Sequence, residues 1–177
     1  MKGRVARFKE LKPLPIQQGD IPQAARDVIY SRKLLSVIGL ENAATPINEG
    51  APIVGAAGMT MTLAVCPPGQ GPGLHSHRQT YETFTVMKGS FEVRWNDDGS
   101  EGAVLELYDT ISFPPGVCRS FRNIAEGEGM LQVIITGGVH DMADIAFSPN
   151  AREAIESVRS GLSAEFEKAG FTFNAGR

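Results

Sequence analysis

Between residues 59 and 136 the chain is interrupted every few residues by glycine, proline or asparagine-aspartate pairs, and the pieces between alternate apolar with polar side chains. Successive strand residues face opposite sides, so short period-two pieces read as half-buried strands rather than helices. Met59 to Cys66 is one such piece, stopped by Pro67-Pro68-Gly69. In the next, Glu82, Phe84 and Val86 alternate with Thr83 and Thr85; then Phe91, Val93 and Trp95 alternate with Glu92 and Arg94. Asn96-Asp97-Asp98-Gly99 supplies a turn that tolerates positive φ. Pieces at 104–107, 111–113, 117–123 and 130–136 continue the series. Such spacing predicts an all-β domain, an antiparallel sheet closed into a barrel so that its edges disappear.

One loop in this series carries chemistry. His75 and His77 are two apart, so on a strand both imidazoles face one side. Glu82 is five residues after His77, and a single straight strand would place it on the other face. A turn at Arg78-Gln79-Thr80 brings it back among inward-facing Phe84 and Val86. Two neutral imidazoles and one carboxylate form a set that holds a divalent metal on one side and leaves its other positions open.

The spacing of Gly69, His75, His77, Glu82 and Gly89 resembles the first signature motif of the cupin superfamily. A second stretch, Tyr108-Asp109 through Pro114, Gly116, Arg119 and Asn123, resembles the second motif with two departures. Tyr108 stands where the family has glycine, and Arg119 stands where it has a fourth ligand, histidine. The resemblance implies a jelly-roll barrel, a double-stranded antiparallel β-helix, with His75, His77 and Glu82 as ligands of an Fe, Mn, Ni or Zn ion. An arginine stays charged and cannot ligate a metal. Arg119 is expected either to hold an anionic substrate group or to form a salt bridge in the barrel wall. His140, in a polar loop after Gly137-Gly138, is expected to reach the metal in place of the missing ligand, to act as an acid or base at the mouth, or to be a solvent-exposed loop residue. Trp95, in phase with Phe91 and Val93, is expected as an inner wall of the pocket or as core packing.

The flanks carry less pattern. Asp20-Ile21-Pro22 starts a short helix over 23–30, and 32–40 reads as an apolar strand, so residues 1–50 form an arm suited to cover a barrel edge or to pair two subunits as a homodimer. The barrel spans 51–140. In 141–177, Ser148-Pro149-Asn150 opens a helix with Ala154, Ile155, Val158 and Leu162 at helical spacing; Gly161 interrupts it, and a second short helix ends at Gly170. Its expected role is packing on the outside of the barrel.

A net charge of −3 gives no basic footprint for nucleic acid or a membrane surface. No apolar run is long enough to span a bilayer, and residues 1–10 lack the apolar core of a secretory leader, which predicts a cytoplasmic protein with reduced Cys66 and Cys118. The functional expectation is a small-molecule enzyme with dioxygenase-like metal chemistry. A non-catalytic cupin that binds a small ligand or sugar, and an isomerase, epimerase or decarboxylase, remain open beside it.

Overall fold

The computed structural model describes residues 2–14, 20–41, 48, 50–139 and 142–176. Among the described residues, eleven strands make two facing sheets: β1 (Lys33–Gly39), β2 (Ile53–Val54), β3 (Met59–Cys66), β4 (His75–His77), β5 (Tyr81–Lys88), β6 (Phe91–Trp95), β7 (Glu101–Leu105), β8 (Thr110–Phe113), β9 (Arg119–Asn123), β10 (Gly129–Thr136) and β11 (Ile145–Phe147). One sheet runs β2-β1-β3-β10-β5-β8 and the other β11-β4-β9-β6-β7. Every pairing is antiparallel except the short β1–β2 pair. This is the expected jelly-roll, mostly β with a few helices. The arm strand β1 lies against β3 of the same chain, so it extends the sheet it was expected to cover.

Alternation fills the space between the sheets. Phe84 and Val86 of β5, Phe91 and Val93 of β6 and Leu131 of β10 are wholly buried, with Phe113, Phe121 and Val133 beside them. Phe84 meets the edge of Phe121 at 4.9 Å between ring centres. Each such side chain contributes about 1.5–3 kcal/mol by leaving water. Gly89 turns the β5–β6 hairpin at φ +79, a conformation that costs a side chain dearly. At Gly71 the constraint is space, since a Cβ there would sit 1.9 Å from the Phe121 carbonyl oxygen, where the loop before β4 crosses β9. Tyr108 keeps the left-handed turn at φ +73 that its glycine counterpart in the resembling motif would adopt without strain.

The flanks build a second core. Helix α1 (Gln23–Ile29) packs against α2 (Pro149–Val158), and α3 (Leu162–Lys168) follows at Gly161, whose φ of +87 separates the two C-terminal helices. Ile21, Ala25 and Ile29 from the start of the chain join Ile155, Leu162, Phe166, Phe171 and Phe173 from its end. Strand β11 falls where only a polar loop and a helix start were expected. It pairs with β4 and carries Phe147 into both this second core and the site.

Candidate metal centre

The register of the smaller sheet sets one wall of the site. Phe147, His75, Arg119 and Trp95 lie opposite one another on β11, β4, β9 and β6. Cross-strand partners share a face, so the first three side chains stand in one inward row. From the facing sheet comes Glu82, flanked in register by Ile135 and Phe113. The expected turn over Arg78-Gln79-Thr80 brings the β5 carboxylate to the imidazoles of β4. His75, His77 and Glu82 are all buried, and their donor atoms lie within 4.8 Å of one another.

Hydrogen bonds assign the imidazole protons. His75 Nδ1 is 2.9 Å from the Gly73 carbonyl, which can only accept, so Nδ1 carries the proton and Nε2 is a bare lone pair. His77 Nδ1 is 2.9 Å from Thr80 Oγ1, and that hydroxyl donates to Asp144 Oδ2 at 2.6 Å. The hydroxyl therefore accepts from Nδ1, which in the neutral ring that ligation requires leaves His77 Nε2 bare as well. The two Nε2 atoms stand 3.6 and 3.7 Å from Glu82 Oε2, too far for hydrogen bonds and with no proton to share. Three acceptors thus converge on one point. Ligands of a first-row divalent ion, bonded at about 2.0–2.2 Å, sit roughly 3–3.5 Å apart, so this group can hold a metal ion with a slight contraction.

Arg119 is the other cation of the site, and its side chain is fully buried. Nε donates to Glu82 Oε2 at 2.8 Å, and Nη1 donates to the Val117 carbonyl at 3.1 Å. Nη2 lies 2.7 Å from the same Glu82 oxygen but off the line of its N–H bonds, so that contact is one of charge rather than of directed bonding. Arg119 accordingly faces the interior and forms the salt bridge of the barrel wall. It is absent from the cavity lining, where a grip on a substrate acid would need it.

Charge follows from this geometry. Burial pushes the Glu82 carboxyl up, yet the Arg119 guanidinium overcomes it and holds the group well below the usual carboxylate range. Burial lowers His75, with Arg119 reinforcing and Glu82 opposing the shift, so its ring is neutral at pH 7, as ligation requires. Burial also works to raise Asp144, but the nearby His77 ring and hydrogen bonds from Thr80 and the Gln79 amide hold it at about 2.

A cavity of about 130 Å³ opens beside the three donors. Phe121, Val133 and Ile135 wall it from the barrel, Ile29 from α1, and Phe147 and Phe171 from the C-terminal segment. The flanks therefore do more than pack outside: they close the pocket. Trp95 is not among the lining residues; it packs on the barrel core and donates Nε1–H to Glu101 at 2.9 Å. His140 lies outside the described residues, though its neighbours Val139 and Met142 line the cavity. Cys66 and Cys118 are buried and unpaired with each other, and burial pushes the Cys66 thiol up to about 11, far from a reactive thiolate.

Sequence reasoning passed over Asp144. It sits 64 residues from Thr80 in a polar loop with no motif, so only the fold shows the contact.

Two facing sheets with a His-His-Glu group between them define a double-stranded β-helix with a site suited to a metal ion. Residues 62–135 match the family model of the cupin domain, and the fold around them supports the cupin superfamily. No curated protein matches the sequence. Among solved structures, Peruvianin-I, a cysteine peptidase from Thevetia peruviana latex, is 13% identical with a TM-score of 0.54, over 78% of this chain and 74% of that one. A Bacillus halodurans protein is 18% identical with a TM-score of 0.47, over 50% of this chain and 70% of its own. A Klebsiella pneumoniae protein with a double-stranded β-helix domain is 19% identical with a TM-score of 0.43, over 47% and 70%. At 13% identity the likeness to Peruvianin-I is one of fold alone.

Proposed function

We propose that this cupin is a divalent-metal-dependent enzyme with dioxygenase-type chemistry on a small, mostly apolar molecule bearing one oxygen headgroup. The observation that carries the reading is the convergence of three unprotonated acceptors, His75 Nε2, His77 Nε2 and Glu82 Oε2, at the end of an apolar cavity. These residues would hold the ion. When bound, the ion supplies Lewis acidity or, as iron, redox chemistry at positions left open by three ligands.

The remaining residues act around it. Arg119 keeps Glu82 ionised and aimed at the imidazoles. The walls from Phe121, Val133, Ile135 and Phe147 exclude water and receive an apolar body. A cavity of about 150 Å³ accommodates benzene, so about 130 Å³ suits a body of one six-membered ring. Among the described residues, the lining contains no lysine or arginine, and its hydroxyls include Ser31 and Thr62. A second anionic group on the substrate would be buried without a counter-cation there, at a cost of several kcal/mol. That favours a single headgroup directed at the ion.

The test is anaerobic loading with iron(II), followed by metal analysis and dioxygen uptake with single-ring hydroxy acids and phenols. Near-stoichiometric iron that is lost in His75→Ala, with uptake on at least one such compound, is expected. Failure to retain iron, manganese, nickel or zinc overturns the reading. A second reading, a non-catalytic module for a small ligand, is favoured by one observation: Arg119 already balances the charge of Glu82 without a metal. Under that reading, ligand binding survives complete chelation.

A further inference from the structure

The two histidines are oriented by different means. His75 is held by a backbone carbonyl, which no side-chain substitution can turn into a donor. His77 is held by a hydroxyl, which can point its proton either way. What settles the direction is Asp144, which lies outside the residues matched to the cupin domain, in the short turn Met142–Asp144 before β11. Asp144 is 3% exposed, and its two oxygens have separate duties. Oδ1 accepts the Gln79 amide at 2.7 Å, and Oδ2 accepts the Thr80 hydroxyl at 2.6 Å. A second clamp keeps the turn and the segment together: the Arg78 amide donates to the Asp144 carbonyl at 2.8 Å, and its guanidinium reaches the Ala143 carbonyl, Thr172 and Asn174.

We propose that Asp144 is a positioning residue that fixes the tautomer of His77 through the Thr80 hydroxyl, and so makes His77 Nε2 an acceptor at the metal centre. A carboxylate offers no proton, so the Thr80 proton must point at Oδ2. The lone pairs of Oγ1 then face His77 Nδ1, which must carry the ring proton. Nε2 is left bare. The direct approach of Nδ1 to Oδ2, 3.4 Å, is a charge contact that supports the same tautomer. This assignment concerns His77 itself; its consequence for metal affinity rests on the function proposed above.

The arrangement makes Asp144→Asn an informative change of almost no volume. The Gln79 N–H still requires an acceptor, so the asparagine oxygen stays where Oδ1 was and its amide nitrogen faces Thr80. That nitrogen donates to Oγ1, the Thr80 proton turns to His77 Nδ1, and the ring proton moves to Nε2. An N–H would then point at Glu82 where a lone pair stood. The same change in the serine-protease triad, aspartate to asparagine beside the catalytic histidine, leaves the geometry intact and traps the wrong tautomer.

The experiment uses the full chain with 15N-labelled histidine, read by long-range proton–nitrogen correlation without added metal. Both His75 and His77 are expected as Nδ1–H tautomers in the parent. In Asp144→Asn, His77 is expected to switch to Nε2–H while His75 stays as it was. Zinc or cobalt(II) titration of the same variant is expected to show affinity lower by about 10–100-fold. Thr80→Ser should keep the parent tautomer, and Thr80→Val, which leaves only the 3.4 Å approach of Nδ1 to Asp144, should show a weakened preference for Nδ1–H; this pair carries the test if Asp144→Asn does not fold. A parent His77 protonated at Nε2, or an Asp144→Asn protein with an unchanged His77, overturns the proposal. Expected tautomers in a protein that binds no metal would instead sink the proposed function and leave this inference standing.

Discussion

The barrel core draws Ala64, Phe84, Phe91, Phe121 and Leu131 from strands that follow one another along the chain, whereas the second core joins Ile21, Ala25 and Ile29 to Ile155, Leu162, Phe166 and Phe171 from the opposite end. The first is assembled by alternation within strands; the second by an encounter between the two flanks. The candidate metal site stands where they meet, with Glu82 rooted in the barrel and His75 packed at a tilt on Phe147, 5.2 Å between ring centres. The comparison teaches that the barrel places the donor atoms, while the flanks roof the cavity and, through Asp144, set one of the rings.

The largest expected effect tests the barrel side. Glu82→Ala leaves the fully buried Arg119 guanidinium without its counter-charge, and urea denaturation should show a loss of about 3–5 kcal/mol. The double change Glu82→Ala with Arg119→Met should recover much of it. A single variant as stable as the parent would mean that the ion pair is not what occupies this interior.

Next come matched cavities in the two cores. Phe84→Ala and Phe166→Ala both remove wholly buried rings, each at about 3–5 kcal/mol. Hydrogen exchange separates them: Phe166→Ala is expected to expose amides of α1, α2 and α3 while β3, β5 and β10 stay protected, and Phe84→Ala to lower protection everywhere. If both variants lose protection uniformly, the two cores form one cooperative unit.

Acid sharpens the contrast, because the titrating groups crowd the site. His75, Glu82 and Asp144 all have lowered values, so each binds protons more readily once unfolded, and each removes stability as the pH falls. The His75 contribution is complete above its ordinary value of 6.5 and is lost as pH drops through the range below it. Those of Glu82 and Asp144 are complete above 4.5 and 3.8, and Asp144's is spent near 2. Urea midpoints measured from pH 8 to pH 3 should therefore fall in two stages, and His75→Gln should flatten the first. A parent midpoint unchanged between pH 8 and pH 5 contradicts a buried neutral His75.

The smallest expected change lies at the end of the flank core. Ser148 caps α2 by accepting from the Ala151 amide at 3.3 Å, and Ser148→Ala should cost about 1 kcal/mol with the metal centre unaffected.

These differences also explain what could be read from residues alone. His75 and His77 share a face because they are two apart, and a turn had to bring Glu82 back to them; both inferences use local geometry. Turn spacing pointed to an antiparallel β-domain, and the motif resemblance implied the jelly-roll. Arg119 could be placed facing inward by alternation, but its engagement with Glu82 depends on side-chain reach across the two sheets. The helical flanks could be outlined, yet their meeting over the cavity could not, since residues 21–29 and 147–173 carry ordinary apolar periodicity with nothing that names a partner. Asp144 lacked even periodicity as a signal.

The roof over the site comes from two stretches far apart in the chain, 21–29 and 147–173, whereas every donor atom belongs to β4 or β5. Loosening the contact between the flanks would therefore admit an ion or small molecule while the strands that carry the donor atoms stay in place.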